Sequence, residues 1–576
     1  MTMKIQRRTF LRKTSTTAAA FVVFPSAIPS YGSNKNPAST KHILKKLSKI
    51  NDAQIKNTLK KQIHKSGYRW NGGVINTYDI PNVHSTNDFI VQLGGAYACP
   101  FSKYHLSAKL EKPLERAINC ILNVQHEDGT IDLHSTNFHS TPDTAFIVNY
   151  LSPVYIVLKR LNREGLAGFI DKMEEFLYNT GKCLAVGGIH TPNHRWVVCS
   201  ALARINSFFP KQSYINRINE WLSEGIDQDP DGQYTERSVS VYSPTCNDMF
   251  LTMGRLLKRP ELLDVVRKNL NMTLFYIQPG AEVLTDASKR QDQAQIGYVN
   301  GYYYTYRYFA ITDKDPVFAA VCNLIENKMP EKLTRFMALI LEDPVFDREM
   351  PAPGKIPDNY FRRFEHSGIF RIRRGNIDVS VIEQNPTFLS FMKGRAVLQS
   401  LRLHASFFGT RGQFIAERAE LDGEKIILKM SKIHGYFQPF PQDRRIGDGN
   451  RDKMPRSQRK MSEVQTLDYT VSITESNGKV SVEMEIEGTP HVPVSLEISF
   501  RAGGELHGVV SDKHTKDSYF LENGIGKYKC ENDVITFGPG AAVHKWAQMR
   551  GMSPKQNGKS VYVTGYTPFR HTIELR

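Results

Sequence analysis

Three helix heads set about fifty residues apart constrain this chain more than any other feature. "HSTPDTAF" holds Thr141-Pro142, "HTPNHRW" holds Thr191-Pro192 and "VYSPTCND" holds Ser243-Pro244, at separations of 50 and 52 residues. Ser and Thr cap a helix by accepting a free backbone N–H, and proline in the first turn forfeits no hydrogen bond. The runs behind these heads, 143–160, 193–208, 245–258 and more weakly 294–311, are apolar on nearly every side. Such helices belong inside a layered protein. Between them lie helices apolar on one face only. Leu166, Phe169, Ile170, Met173, Phe176 and Leu177 form one stripe, stopped at Gly181; Ile215, Ile218 and Leu222 form another; Leu263, Val266 and Leu270 a third. The alternation predicts an inner and an outer ring, one helical hairpin per period. The heads then share a rim, where His139, Asp143, His190, Asn193, His194, Arg195 and Tyr242 converge. A rim of that kind is the edge of a cleft.

From about residue 366 the period becomes two. Tyr469, Val471 and Ile473 alternate with polar residues up to Asn477-Gly478, and Val480, Val482, Met484 and Ile486 then alternate against Ser481, Glu483, Glu485 and Glu487. That is a hairpin on a type I′ turn with one wet face. The expected architecture is an α+β multidomain chain: a toroid at 33–345, a Pro-rich charged linker at 346–365 and an antiparallel β-sandwich at 366–576.

Residues 1–32 read as a twin-arginine export signal, with Arg7-Arg8, a short apolar stretch from Ala18 to Phe24 and small residues after it. The stretch is too short to span a bilayer, and no cysteine comes after it for a lipid anchor. The expectation is a periplasmic protein with no membrane partner. Its seven cysteines lack metal-type spacing and are scattered and odd in number, so most read as buried thiols. The formal charge of +17 becomes +12 once the five cations of the export segment are set aside. For an exported basic protein an acidic glycan fits this charge better than nucleic acid, and a generally basic surface without such a partner fits it equally well.

The helix heads carry the chemistry. A helix N-terminus presents free N–H groups and favours an anion, and it disfavours a protonated histidine, which keeps His194 or His190 neutral. Asn193 with Arg195 could bind and neutralise a carboxylate there. In "DQDPDGQYTERSVSVYSPTCND", Asp227, Asp229, Asp231 and Gly232 imitate the start of a calcium loop, but Ser238 stands where a bidentate Glu is required. A structural calcium is therefore a minor alternative, and Asp231-Gly232 reads as a turn with Glu236 positioning the next segment. In "TDASKRQDQAQIGYVNGYYYTYRY", Lys289 and Arg290 open the next inner helix. The tyrosines 302, 303, 304, 306 and 308 suit either sugar rings or packing. His404 in "LRLHASFFGTRGQF" is polar within an apolar strand, and His434 in "KIHGYFQPFPQDRR" is a weaker analogue.

Asn-His at one inner helix head, a Tyr about fifty residues later, and the run Asp231, Gly232, Glu236, Ser238, Tyr242 are similar to segments of the chondroitin AC and heparinase II/III-like polysaccharide lyases. The resemblance implies a helical toroid followed by an antiparallel sandwich. It also implies β-elimination at C4 of a uronic acid after removal of the C5 proton, with no organic cofactor. Under it, Asn193 assisted by Arg195 would bind the carboxylate, and Tyr242, favoured over Tyr234, or His194 would take the proton. A Tyr or His would protonate the leaving oxygen. His139, His190, Trp196, Glu236, Arg290 and His404 complete the substrate-binding set, with Arg290 holding a flanking acidic group and His404 reaching in from the sandwich.

Two other readings remain. A glycoside hydrolase on the same toroid would need two flanking carboxylates, for which Asp143, Glu236 and Asp248 are available. A non-catalytic periplasmic glycan-binding protein would use the aromatics and not Tyr242.

Overall fold

The computed structural model describes residues 40–576, so the export segment read at 1–32 lies outside the described residues. Twelve α-helices lie in the first part of the described chain. They are α1 (Thr40–Leu59), α2 (Val83–Ala98), α3 (Ala108–Val124), α4 (Thr141–Arg160), α5 (Ala167–Leu184), α6 (Pro192–Phe208), α7 (Gln212–Ser223), α8 (Tyr242–Leu256), α9 (Pro260–Thr273), α10 (Tyr303–Thr312), α11 (Pro316–Lys328) and α12 (Met337–Glu342). Helices α2, α4, α6, α8 and α10 pack each on the next to form the inner ring, and α3, α5, α7, α9 and α11 lie outside them. The all-round apolar helices are the inner ones because only there are all sides covered; in α6 every residue from Asn193 to Ile205 is buried. Asn149 holds α4 to α6, donating to the Val197 carbonyl at 2.9 Å and accepting from Ser200 at 2.7 Å.

The helix heads differ in detail from the expectation. Only Thr191 occupies a cap position as predicted; α4 is capped by Ser140, and α8 begins at Tyr242 behind Val241. The fourth inner helix starts at Tyr303 and not near 294. Lys289 and Arg290 therefore sit in a loop. That loop is pinned by Asp292, whose carboxylate accepts from Ser238, Ser240 and Ser288. The tyrosines at and just before the start of α10 pack inward: Tyr302, Tyr303, Tyr304 and Tyr306 are fully buried, so they are core and not sugar platforms. Six of the seven cysteines are buried, and all are free. No helix among the described residues is long and apolar enough to cross a membrane.

The second part of the chain is a sandwich of two sheets. Its strands are β1 (Asn359–Phe364), β2 (Ile369–Arg374), β3 (Ile377–Ile382), β4 (Leu389–Lys393), β5 (Ala396–Ala405), β6 (Arg418–Asp422), β7 (Lys425–Phe437), β8 (Met461–Ser476), β9 (Lys479–Gly488), β10 (Pro493–Phe500), β11 (Glu505–His507), β12 (Val510–Ser511), β13 (Ser518–Phe520), β14 (Gly526–Cys530), β15 (Asp533–Gly538), β16 (Lys559–Tyr566) and β17 (Phe569–Leu575). One sheet runs β12-β13-β16-β10-β5-β4-β3-β2-β1 and the other β6-β7-β8-β9-β17-β15-β14-β11. Neighbours are antiparallel except β13 beside β16. The β8–β9 hairpin turns at Asn477-Gly478, both at positive φ (51° and 82°), as a type I′ turn requires. Strand β1 lies inside the segment read as linker, which is thereby shortened at its C-terminal end: "NYFRRF" pairs along its whole length with β2.

The sandwich meets the toroid beside the loop that comes after α7. The Ser367 N–H donates to Asp231 (2.8 Å), Arg237 donates to the Ser367 and His366 carbonyls, and Asn385 donates to the Asp286 carbonyl (2.9 Å). Arg501 makes a two-pronged pair with Glu282, each bond 2.9 Å long. Bidentate pairs of this kind fix orientation as well as proximity.

Candidate active site

Thr191 caps α6 by position, but its hydroxyl donates to the Asn193 Oδ1 at 2.8 Å. The free Asn193 N–H goes instead to Glu236 Oε2 at 3.1 Å, so the anion drawn to this helix N-terminus is the protein's own carboxylate. With its oxygen occupied, Asn193 is left with a buried amide N–H group, Nδ2, that meets no acceptor among the described residues. An unmet buried donor costs about 1–3 kcal/mol. That amide is free to donate to an acceptor brought in from outside.

Tyr242 belongs to the same assembly. Arg290 Nε lies 3.6 Å from the free oxygen of Glu236, and its guanidinium sits 5.4 Å from the centre of the Tyr242 ring. Gln291 donates to the Tyr242 hydroxyl at 2.5 Å, leaving the phenolic hydrogen for another acceptor. Asn193, Glu236, Arg290 and Tyr242 thus form one connected set, brought together by α6, the loop after α7, the loop before α10 and α8. Tyr234 is different: it is buried and donates to Asn247 at 2.8 Å, and burial pushes its phenol well above the ordinary range.

His194 completes this rim. Its ring meets His190 edge-on at 4.6 Å and Phe146 at 6.0 Å. Burial, then the neighbouring His190 and Arg290, lower its pKa to about 4, with Asp143 pulling the other way. The imidazole is therefore neutral at neutral pH, through burial and these neighbours, and its Nδ1 has no hydrogen-bond partner among the described residues. Asp143 is engaged by Ser140 (2.5 Å), Asn137 (2.8 Å) and His84 (3.4 Å), which hold it below the usual carboxylate range despite burial.

Four of the residues read from the sequence are engaged by other partners. Arg195 turns away from Asn193: it pairs with Glu224 (3.2 Å) and Asp227 (3.1 Å) and lies over the Trp196 ring. Trp196 is fully buried, donating to Asp227 at 2.8 Å and packing on Phe250, with no face left for a sugar. His139 is on an exposed hairpin, stacked on His126 at 3.7 Å and bonded to Asp128 at 2.8 Å. His404 faces outward from β5 and is covered by the segment after β15, its Nε2 meeting the Arg550 carbonyl at 3.3 Å. Leu401, Leu403 and Ala405 take the sandwich core, and the two-residue period turns His404 to the opposite face, where the Arg550 carbonyl meets it. Asp229 and Asp231, read as a possible calcium-loop start, spend their oxygens on Gln233 and Ser367, while Asp227 serves Trp196 and Arg195.

Neither a family model nor a curated protein matches the sequence. Among solved structures, heparinase III aligns over 92% of this chain and 84% of its own, with a TM-score of 0.54 and 11% identity. The Streptomyces coelicolor A3 chondroitin AC lyase, in complex with chondroitin sulphate, aligns over 94% of this chain and 80% of its own, with a TM-score of 0.55 and 12% identity. This chain has the polysaccharide lyase fold. At such identities the likeness covers architecture, and the side chains must be read from their own geometry.

That geometry adds His84, Phe146 and Gln291 to the rim residues found in the sequence. His84 had a signal of the same kind as the others: Asn82-Val83-His84 opens inner helix α2, with Asn82 accepting from the Ser85 N–H at 3.0 Å. Gln291 had none, because its approach to Tyr242 depends on the loop pinned by Asp292. One consequence is testable at Trp196. Trp196→Phe loses the bond to Asp227 and leaves a small cavity where the larger indole stood, so it should lower stability by about 2–3 kcal/mol in a chemical denaturation experiment. Turnover should stay at the wild-type rate.

Proposed function

We propose that the protein is a polysaccharide lyase that cleaves uronic-acid-containing acidic glycans by β-elimination. The observation that carries this reading is the unmet Asn193 amide, buried beside Glu236, Arg290 and Tyr242. The C5 proton of a uronate becomes removable only when the neighbouring carboxylate is bound and its charge met, since the transition state places more charge on it. Asn193 Nδ2 donates to that carboxylate. Arg290, in place of the turned-away Arg195, supplies the positive charge nearby. Tyr242 or the neutral His194 takes the C5 proton; the electron pair forms the C4–C5 double bond as the C4–O bond breaks, and the departing oxygen receives a proton from a Tyr or His of the rim. No step calls for an organic cofactor. The basic charge of the chain suits a polyanionic substrate. Export through the segment at 1–32 would place the enzyme in the periplasm, which cell fractionation would check.

A panel of acidic polysaccharides, monitored in the ultraviolet, tests the reaction class. A lyase generates a double bond conjugated to the carboxylate, and absorbance should rise with cleavage. Chain shortening with no rise in absorbance would identify a hydrolase and overturn the proposal. So would binding without any cleavage on the panel.

A further inference from the structure

Strands β7 and β8 continue past the rest of their sheet. Strand β6 pairs only with the start of β7, through Lys429, and β9 pairs with β8 only from Leu467 onward. Residues 432–437 and 461–466 are thus a two-stranded arm, closed by the segment 438–460. The arm rises from the end of the sandwich that faces the toroid. The turn holding Gln384 and Asn385 bonds both to Asp286 of the toroid and to the Ala416 carbonyl, and Glu417 then joins β7 at the root of the arm.

The charges of the arm differ from those of the sheet it leaves. On the body of β7, Lys425 and Lys429 face Glu483 (3.1 Å) and Glu420 (2.7 Å), and at the root Lys432 pairs with Glu417. Across residues 432–466 there are eight cations against four carboxylates. Lys453 pairs with Asp448 at 2.7 Å, but among the described residues Arg444, Arg445, Arg451, Arg456, Arg459 and Lys460 have no carboxylate within 4.0 Å. Aromatic rings are interleaved with them. Arg456 lies over Phe437 at 5.8 Å, while Phe408 stacks on His434 at 4.6 Å and meets Tyr436 at 5.6 Å. Tyr436 is 63% exposed. Uncompensated guanidinium groups beside an open aromatic face suit a sugar chain bearing carboxylate or sulfate groups: the ring packs on the sugar face while the cations meet the anions.

We propose that this arm is a second binding surface for an acidic polysaccharide, separate from the Asn193–Tyr242 site. The kind of polymer rests on the proposed function, and the binding chemistry rests on the arm alone. The test is affinity electrophoresis of the whole chain in gels containing polygalacturonate, chondroitin sulfate or polyglutamate, the last a polyanion without sugar rings. Migration should be retarded most in one of the uronate gels. In Arg451→Ser/Arg456→Ser/Lys460→Ser the affinity should fall roughly tenfold, as expected for three exposed charges. None of these three side chains donates a hydrogen bond among the described residues, and the Arg456 contact with Phe437 is long and exposed, so thermal unfolding should change little. Tyr436→Ala should weaken binding to the uronate polymer and leave polyglutamate unaffected. The triple variant should still cleave a short uronate oligosaccharide at the wild-type rate, so loss of cleavage and loss of arm binding are read separately. Equal retardation of the triple variant and wild type would overturn the proposal. So would polyglutamate binding as tight as uronate binding with no effect of Tyr436→Ala.

Discussion

Tyr242→Phe is expected to reduce kcat/KM on a cleavable uronate glycan by at least about a hundredfold, the usual contribution of a positioned proton-transfer group. The variant removes one oxygen and leaves the ring against Arg290, so folding should be unaffected. Gln291 loses its acceptor, but Tyr242 is at the surface of the rim, where water replaces it. Asn193→Ala should match or exceed that loss, because it removes a donor aimed at the carboxylate whose charge grows in the transition state. A donor of this kind contributes a factor of about a hundred to a thousand in kcat. Its effect should fall mainly on kcat and less on KM, since the bond strengthens as the proton leaves. Both variants need a check of folding by circular dichroism, particularly Asn193→Ala, which also frees the Thr191 hydroxyl. Near-wild-type turnover in both would remove the rim from the reaction.

His404→Gln should make stability less sensitive to acid. Burial lowers the His404 pKa to about 4, against about 6.5 for an unfolded histidine. Between those values the unfolded chain takes up a proton that the native state refuses, so stability is fully present above about pH 6.5 and is lost as pH falls toward 4. For one such group the loss between pH 7.5 and pH 5 is about 2 kcal/mol. Asp248 and Asp286, raised by burial to about 7 and about 6, act in the opposite sense over an overlapping range. They make the wild-type profile flatter than His404 and His194 alone would. The readout is therefore the difference between wild type and His404→Gln at the two pH values, from urea unfolding. The variant should gain about 2 kcal/mol relative to wild type on going to pH 5, whatever its offset at pH 7.5. A constant offset would show that His404 titrates normally.

Asn193 and His404 also separate what is local from what is not. Helical and strand periods depend on which face of an element is buried, and that pattern is written in neighbouring residues. The inner and outer helices, the Asn477-Gly478 turn and the change from one period to the other near 366 were legible for that reason. So was the rim that carries Asn193 and His194, because its heads recur at a fixed interval. Where each rim side chain points was not legible. Arg195 and Trp196 sit in the same helical turn as Asn193, yet Asp227 and Glu224, some thirty residues onward, draw them to the other side. His404 is screened by a segment that begins well over a hundred residues later. Arg290 reaches Tyr242 and Glu236 only because Asp292 pins its loop in place of a helix. The sequence by itself determined the elements, their order and the edge on which polar residues gather. Which of those residues face the opening, and which are spent on ion pairs within the protein, was decided by partners distant in the chain, whose positions exist only once the rings have closed and the sandwich has docked.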